Sequence, residues 1–238
     1  MQLQVKTGAP EPETVAERRR VWLERARLYI ICDTHPGGDD PEDVLRPALQ
    51  AGVDVVQLRD KSADDRDIVE ASRIFRRLCD AYDALFIVND SPELAIACAA
   101  DGVHLGQKDA NPEAVRKVMG PDALIGLSTH SREQIAAASG VDYIGVGPVY
   151  ATPTKPDYLP VGLELVQWAA EHARVPCFAI GGINTGNVDD VLDAGATRVA
   201  VVRAICDAAD PGEAARELNE RICKGGALAA EGGVPRLS

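Results

Sequence analysis

Aromatic residues are scarce in this chain, since Phe, Trp and Tyr together make up only 4% of its 238 residues. A core must therefore be built from aliphatic side chains, and hydrophobic residues as a class reach 46%. Val, Ile, Leu and Ala are the usual filling of a parallel β-sheet whose faces are covered by helices. The composition therefore favours an α/β protein.

The chain also lacks an excess of positive charge. Its 25 Lys and Arg residues stand against 37 Asp and Glu residues, which gives a formal net charge of −12. Such a chain repels a phosphate backbone or an anionic membrane, so neither nucleic acid nor a membrane is expected as a partner. An anionic small molecule would need a local group of Lys and Arg to bind.

Long apolar runs and closely paired cysteines are absent as well. No stretch approaches the roughly 18 apolar residues of a membrane span, and the charged, proline-containing start does not resemble a signal peptide. The six cysteines include no CxxC pair and are interpreted as small hydrophobic residues rather than disulfides or metal ligands. We expect a cytoplasmic protein, and its assembly as a monomer or a homo-oligomer stays open.

Eight short apolar runs recur along the chain and are separated by segments with helical spacing. Their starts lie about 24 residues apart, the length of a βα unit with short loops. Helix start signals such as Ser91-Pro92-Glu93 and Asn111-Pro112-Glu113 follow several of them. The runs predicted as strands cover residues 28–32, 53–58, 85–88, 102–105, 123–127, 142–146, 176–180 and 198–202.

Polar residues follow seven consecutive strands, and this decides between two parallel architectures. Loops after seven strands converge on one pocket only if the sheet closes into a ring. The sequence therefore predicts a (β/α)8 TIM barrel as a single domain over residues 28–223, rather than a doubly wound open sheet. Residues 1–27 are predicted as a partly helical extension, disordered over 1–10, and 224–238 as a flexible tail. The basic run Arg18–Arg20 is interpreted as a solvated helix face.

Three polar side chains alternate at the end of the second predicted strand: Gln57, Arg59 and Lys61. Alternate side chains of a strand point to the same face, so these three can converge on one anion. Solvated charges at a strand end are the alternative interpretation, and this segment alone does not decide between them.

One carboxylate follows each of the next two strands, Asp90 after the third and Asp109 after the fourth. Two neighbouring acids repel each other unless a cation joins them, and Mg²⁺ prefers a few carboxylates together with substrate phosphate oxygens. As a pair they predict a magnesium site. Helix capping is the alternative for either residue alone.

The segment 147–155 after the sixth strand contains Thr152, Thr154 and Lys155, which together predict a phosphate clamp. Gly181 and Gly182 follow the seventh strand, where glycine lets backbone N–H groups approach an anion, although a tight structural turn is the alternative. His104, inside the fourth strand, is interpreted as structural. His130 is a candidate for proton transfer.

Taken in order, the motifs QLRDK, VND, DGVHLGQKD, GLSTH, GPVYATPTK, AIGGI and VVRAI resemble those of the thiamine phosphate synthase family over residues 28 to about 207. That family joins an aminopyrimidine methyl diphosphate to a thiazole phosphate, and releases pyrophosphate. The resemblance implies a Mg²⁺-dependent transferase of phosphorylated small molecules. The reaction needs no general base, because the thiazole nitrogen that captures a pyrimidine carbocation carries no proton.

The resemblance also implies a role for each matching residue. Those expected to hold the pyrimidine diphosphate are Gln57, Leu58, Arg59, Asp60, Lys61, Asn89, Ser128 and Lys155, with Arg59, Lys61, Ser128 and Lys155 as the catalytic set. Asp90 and Asp109 are expected to bind Mg²⁺. The residues expected at the thiazole phosphate are Thr152, Pro153, Thr154, Gly182, Val202 and Arg203. Arg203 departs from the family pattern, in which this position is commonly Ser.

Two rival interpretations stay open at the level of sequence. A thiazole tautomerase shares the barrel and several motifs, but it handles one phosphate and would leave Asp90, Asp109 and Lys155 unexplained. A non-catalytic barrel that binds a phosphorylated ligand is the second, although the loops keep reactive side chains throughout.

Overall fold

The computed structural model describes residues 14–153 and 159–231, and its eight strands form one closed parallel barrel. Neighbouring strands follow chain order, and β8 pairs with β1 to complete the ring. The strands are β1 Leu28–Cys32, β2 Val55–Leu58, β3 Leu85–Asn89, β4 Gly102–Leu105, β5 Leu124–Thr129, β6 Tyr143–Val146, β7 Cys177–Ile180 and β8 Val199–Val201. The predicted (β/α)8 barrel is confirmed.

Ten α-helices surround or flank these strands within the described residues. Two of them begin where the sequence signals predict: Ser91 Oγ accepts a hydrogen bond from Leu94 N at 3.1 Å, and Asn111 Oδ1 accepts one from Glu113 N at 2.9 Å. The helices are α1 Val15–Arg25, α2 Pro41–Gln50, α3 Asp65–Ala81, α4 Pro92–Ala97, α5 Pro112–Met119, α6 Arg132–Ala137, α7 Gly162–His172, α8 Val188–Asp193, α9 Arg203–Cys206 and α10 Pro211–Glu231. A short 3-10 helix covers Pro36–Gly38.

Alternate residues of each strand face opposite sides of the barrel wall. In β1, Tyr29 and Ile31 belong to the cluster that fills the barrel interior, whereas Ile30 and Cys32 pack against the surrounding helices. The same alternation holds in β3, where Ile87 faces inward and Val88 outward. This period of two decides which side chains can reach a site inside the ring.

Helix α1 covers the end of the barrel where the strands begin. Its Leu23 is 2% exposed and packs into the interior cluster. Arg19 Nε donates to Asp101 Oδ1 at 2.8 Å, and Arg20 Nε donates to Asp142 Oδ1 at 3.0 Å. The interpretation of this basic run as a solvated face is therefore wrong for these two arginines, because the acids preceding β4 and β6 bind them.

The terminal segments differ in part from the boundaries drawn on the sequence. Residues 1–10, expected to lack order, lie outside the described residues, and so do residues 232–238. The predicted start of the tail at Lys224 falls within α10, which ends at Glu231. Among the described residues, no helix is long and apolar enough to cross a membrane.

Candidate active site

A cavity of about 660 Å³ opens at the carboxyl ends of the strands. The ends of all eight strands or the loops that follow them contribute to it, as expected for a closed barrel. Its lining consists of Ile31, Gln57, Arg59, Lys61, Asn89, Asp90, His104, Gly106–Asp109, Ser128, His130, Gly145, Gly147, Pro148, Thr152, Ile180–Asn184, Val201–Ala204, Ala200 and Asp207. The volume lies within the range of roughly 300–1,000 Å³ that is common for small-molecule sites.

Most of the residues predicted from the sequence meet in this cavity. Those brought together are Gln57, Arg59, Lys61, Asn89, Asp90, Asp109, Ser128, Thr152, Gly182, Val202 and Arg203. Pro153 is exposed and is not part of the lining. Thr154 and Lys155 lie outside the described residues, so the predicted phosphate clamp is represented here by Thr152 alone.

Leu58 and Asp60 point away from the cavity, unlike the three residues that alternate with them. Leu58 is 1% exposed and packs against the helices outside the barrel. Asp60 accepts hydrogen bonds from Thr34 Oγ1 at 2.6 Å and from Ser62 Oγ at 2.7 Å. Although burial opposes its ionisation, these hydrogen bonds hold the pKa of Asp60 below its usual range. Asp60 therefore shapes the loop that presents Arg59.

Asp90 and Asp109 lie against each other at the mouth of the barrel. Burial and the neighbouring Asp90 raise the pKa of Asp109, although Gly106 N donates to Asp109 Oδ2 at 2.7 Å. Burial opposes ionisation of Asp90 too, but hydrogen bonds from Lys61 and Asp109 lower its pKa. Asp90 is therefore the more acidic of the two carboxyl groups, and each one affects the ionisation of the other.

Neither carboxylate caps a helix. Ser91 caps α4 and Asn111 caps α5, so the capping alternative is wrong for both acids. Asp90 instead takes a backbone φ of 64°, a sparsely populated conformation for a residue with a Cβ, and its N–H donates to His104 O at 2.8 Å. The chain therefore holds Asp90 in a conformation that turns its carboxylate toward Asp109.

The donor set fits a magnesium ion that is also bound by substrate oxygens. Two adjacent carboxylates match the sparse protein coordination that Mg²⁺ accepts. Across the parts of the chain that the structure describes, no cluster of three or more His, Cys, Asp or Glu side chains is placed to hold a metal. A metal at Asp90 and Asp109 would therefore need further oxygens, and phosphate groups can supply them.

Positive charge surrounds this acidic pair. Lys61 forms an ion pair with Asp90, and its side chain is 60% exposed at the cavity mouth. Arg59 and Lys108 line the same side of the cavity. Arg59 N donates to Cys32 O at 2.7 Å, which extends the β1–β2 pairing beyond the end of β2 and fixes where its side chain begins. This side of the cavity therefore suits a multiply charged anion, with a metal cation between the anion and the two carboxylates.

The opposite side is formed by the loops after β6 and β7, which pack against each other through glycine. Gly181 and Gly182 have φ values of 104° and 68°, and a Cβ on Gly182 would lie 2.7 Å from Tyr150 Cβ. Val149 N and Tyr150 N donate to Ile180 O and Gly181 O, both at 2.9 Å. The two glycines thus permit close packing of the loops and also line the cavity, whereas anion binding by their N–H groups stays a prediction.

Histidine contributes to the site in two ways. His130 Nδ1 donates to Gly147 O, next to the cis Gly147–Pro148 peptide, and thereby ties the β5 loop to the β6 loop. His104 lines the cavity floor, with Nε2 lying 3.0 Å from Ser128 Oγ. His104 is structural in the sense predicted, but it also reaches a residue of the predicted catalytic set. The position of His104 in β4, among the alternate residues that face the barrel interior, was the signal that could have identified it as a cavity residue.

Arg203 and Asp207 lie at the mouth of the cavity, at the start of α9 and just after its end. Arg203 is exposed, and within the described part of the chain its side chain forms no ion pair. Asp207 was not singled out from the sequence, where an acid after a short apolar segment carries no distinctive signal. Arg203 follows β8, the strand that pairs with β7, and the loop after β7 contains Gly182, where the resemblance implies the thiazole phosphate.

The family model for thiamine monophosphate synthase matches residues 28–205, which contain all eight strands. The chain belongs to the thiamine monophosphate synthase family. The match begins with β1 and ends within α9, so it contains both sides of the cavity and leaves α1 and α10 outside.

Individual relatives agree with this membership. The chain is 49% identical over 210 residues to the thiamine-phosphate synthase of Thermobifida fusca, covering 87% of this chain and 96% of that protein. It is 46% identical over 205 residues to that of Thermosynechococcus vestitus, covering 85% of this chain but only 58% of that relative. It is similar in structure to thiamine phosphate pyrophosphorylase from Pyrococcus furiosus, with a TM-score of 0.78, 35% identity and coverage of 87% and 98%.

Proposed function

We propose that this chain joins 4-amino-2-methyl-5-(diphosphomethyl)pyrimidine to 4-methyl-5-(2-phosphoethyl)thiazole, or to its carboxylated form, and releases thiamine phosphate and pyrophosphate. The observation that supports the proposal is that one cavity is lined by two groups of residues suited to bind anions. Asp90, Asp109, Lys61 and Arg59 form one side, and the glycine loop with Arg203 forms the other. Two phosphorylated reactants need two such sides facing each other.

The side around Lys61 suits the diphosphate. When bound at Asp90 and Asp109, Mg²⁺ would supply positive charge to the departing pyrophosphate. Lys61, Arg59 and Ser128 line the same cavity, and in this proposal they add two further charges and a hydroxyl to the same group. Charge grows on the leaving group as its bond breaks, so these contacts strengthen in the transition state and accelerate the step.

The side around Gly182 suits the thiazole phosphate. Thr152 offers a hydroxyl, Arg203 a guanidinium, and Gly182 has no Cβ to exclude an anion. Holding both reactants in one enclosed space replaces a bimolecular encounter by a step between oriented groups. It also excludes water from a pyrimidine carbocation, which the thiazole nitrogen can then capture.

The chemistry makes no demand for a general base. His130 Nδ1 donates to the Gly147 carbonyl and anchors a loop, but this tautomer leaves Nε2 able to accept a proton, so His130 does not separate the transferase from the isomerase. A tautomerase of one thiazole phosphate would leave the Asp90–Asp109 pair and its Lys61 partner without a task. The residues thus favour a transferase over the isomerase.

Several parts of this proposal reach beyond the family membership. The chain spans 58–65% of the length of the cyanobacterial relatives Thermosynechococcus vestitus, two Nostoc strains, Gloeobacter violaceus and Synechocystis that it matches. The activity, Mg²⁺ dependence, cytoplasmic location and any homo-oligomer are therefore proposed for the chain itself.

Two assays on one purified sample test the proposal. In the first, both substrates are supplied with Mg²⁺, and thiamine phosphate is measured. In the second, the carboxylated thiazole phosphate is supplied alone, and conversion between its tautomers is followed. The proposal expects product in the first assay and no catalysis in the second. Tautomer conversion without thiamine phosphate would show an isomerase, and binding without either reaction would show a non-catalytic barrel.

A further inference from the structure

A continuous chain of polar side chains lies inside the barrel, and three of its members, Gln57, His104 and Ser128, also line the cavity. Gln57 Nε2 donates to the Tyr29 hydroxyl at 2.7 Å, and the hydroxyls of Tyr29 and Tyr143 lie 3.0 Å apart. The Tyr143 hydroxyl lies 3.2 Å from His104 Nδ1, and His104 Nε2 lies 3.0 Å from Ser128 Oγ. Hydrogen bonds thus link Gln57 to Ser128, through side chains from β1, β2, β4, β5 and β6.

Burial limits how this chain can be arranged. Gln57 and Tyr29 are each 2% exposed and Tyr143 is 1% exposed, so an unpaired donor or acceptor here would cost about 1–3 kcal/mol. Burial also raises the pKa of both tyrosines, which keeps their hydroxyls protonated. Each hydroxyl therefore has one hydrogen to donate and must find an acceptor within the chain.

The amide of Gln57 sets the direction of donation. Because Gln57 donates to the oxygen of Tyr29, the Tyr29 hydrogen is directed to Tyr143, and the Tyr143 hydrogen to His104 Nδ1. A neutral imidazole that accepts at Nδ1 carries its proton on Nε2. His104 Nε2 then donates to Ser128 Oγ, and the Ser128 hydrogen is left for the cavity.

We propose that this relay, defined as Gln57, Tyr29, Tyr143, His104 and Ser128, holds the Ser128 hydroxyl as a hydrogen-bond donor toward the cavity. Its acceptor is an oxygen of the leaving diphosphate, an assignment that rests on the proposed function. Tyr143 and His104 are positioning residues, since they act through Ser128. The reverse arrangement would turn a Ser128 lone pair toward an anion and repel it.

A glycine makes the central contact of the relay sterically feasible. A Cβ on Gly126 would lie 2.2 Å from Tyr143 Cζ and 2.5 Å from His104 Nδ1, distances that real Cβ atoms do not tolerate. Gly126 lies in β5 and belongs to the inward-facing set with Ser128, two residues later. Glycine at position 126 therefore leaves room for the rings of Tyr143 and His104 to approach each other.

The kinetic test compares two replacements of His104 and one of Tyr143. His104→Leu and Tyr143→Phe should lower kcat about ten-fold or more, the scale of losing a hydrogen bond to a charged group, and change each KM less than about two-fold. His104→Gln keeps an N–H donor near Ser128 and should recover part of kcat. Tyr82→Phe is the matched control, because its hydroxyl lies outside the barrel, where it accepts from Gln50 at 3.0 Å and is also hydrogen-bonded to Arg46.

A second readout measures the relay directly, without substrate. In ¹⁵N spectra of the parent chain, the His104 resonances should show a protonated Nε2 and an unprotonated Nδ1. These resonances are assigned to His104 because they disappear in the His104→Gln variant. In Tyr143→Phe, Nδ1 loses its donor and the tautomers should mix. A folded Tyr143→Phe variant with parent kinetics and an unchanged tautomer would overturn the relay.

The two proposals fail in different ways. An Nδ1–H tautomer of His104 in a chain that makes thiamine phosphate would overturn the relay and leave the proposed function intact. If the chain shows the expected Nε2–H tautomer but makes no thiamine phosphate, the proposed function fails. The assignment of a diphosphate oxygen as the acceptor of the Ser128 hydrogen bond fails with it.

Discussion

Arg203→Ala should weaken binding of the thiazole phosphate and leave the pyrimidine diphosphate almost unaffected. Arg203 lines the cavity after β8, next to the loop after β7 that contains Gly182, whereas Asp90 and Asp109 follow β3 and β4. A hydrogen bond to a charged group contributes about 1.5–3 kcal/mol when water is excluded. Because Arg203 is exposed, screening should bring its contribution just below this range, to about 1.4 kcal/mol, which corresponds to a ten-fold change.

The assay is a pair of steady-state titrations, each with one substrate varied and the other saturating. KM for the thiazole phosphate should rise about ten-fold in Arg203→Ala, while KM for the pyrimidine diphosphate stays within about two-fold. Arg221→Ala is the matched control, since Arg221 pairs with Asp189 and Glu217 on the helical surface. Equal KM values for the thiazole phosphate in parent and Arg203→Ala would show that the guanidinium does not contact this phosphate.

The remaining predictions concern the metal, the order of bond making and the barrel base. Asp90→Asn and Asp109→Asn should each lower kcat/KM by ~10²-fold or more, and full activity in EDTA would refute the magnesium assignment. Replacing the pyrimidine methyl group by trifluoromethyl should slow turnover steeply, because it destabilises a carbocation; an unchanged rate in a chemistry-limited enzyme would indicate direct displacement. Arg19→Ala should cost about 1–2 kcal/mol and lower Tm by about 2–6 °C at unchanged kcat, because Asp101 loses one partner. Arg18→Ala is its control, and an equal Tm in the two variants would contradict this role of α1.

The strands and their order could be predicted because a parallel barrel repeats one local pattern. The runs at Leu28–Cys32 and Gly102–Leu105 have the predicted bounds, and the ends of the other strands differ by at most two residues. The alternation of side chains along a strand also separates Gln57 and Arg59, which line the cavity, from Leu58 and Asp60, which do not. The resemblance assigned all of residues 57–61 to the substrate. Only the alternation of side chains along the strand separates those that face the cavity from those that do not.

Contacts between residues far apart in sequence could not be predicted. Arg19 meets Asp101, 82 residues away, and no local pattern distinguishes these two charges from solvated ones. The same holds for Tyr29 and Tyr143, which meet across the barrel although 114 residues separate them. Such pairs depend on which side chains meet once the ring has closed, and only the three-dimensional structure shows this.

The most direct test of the central claim is a single-turnover experiment with enzyme in excess over the pyrimidine diphosphate and with the thiazole phosphate and Mg²⁺ saturating. Pyrophosphate and thiamine phosphate are quantified in the same quenched samples. The account predicts that they form in a one-to-one ratio at the same rate. Pyrophosphate without thiamine phosphate would show a hydrolase, and the absence of both products would contradict a synthase altogether.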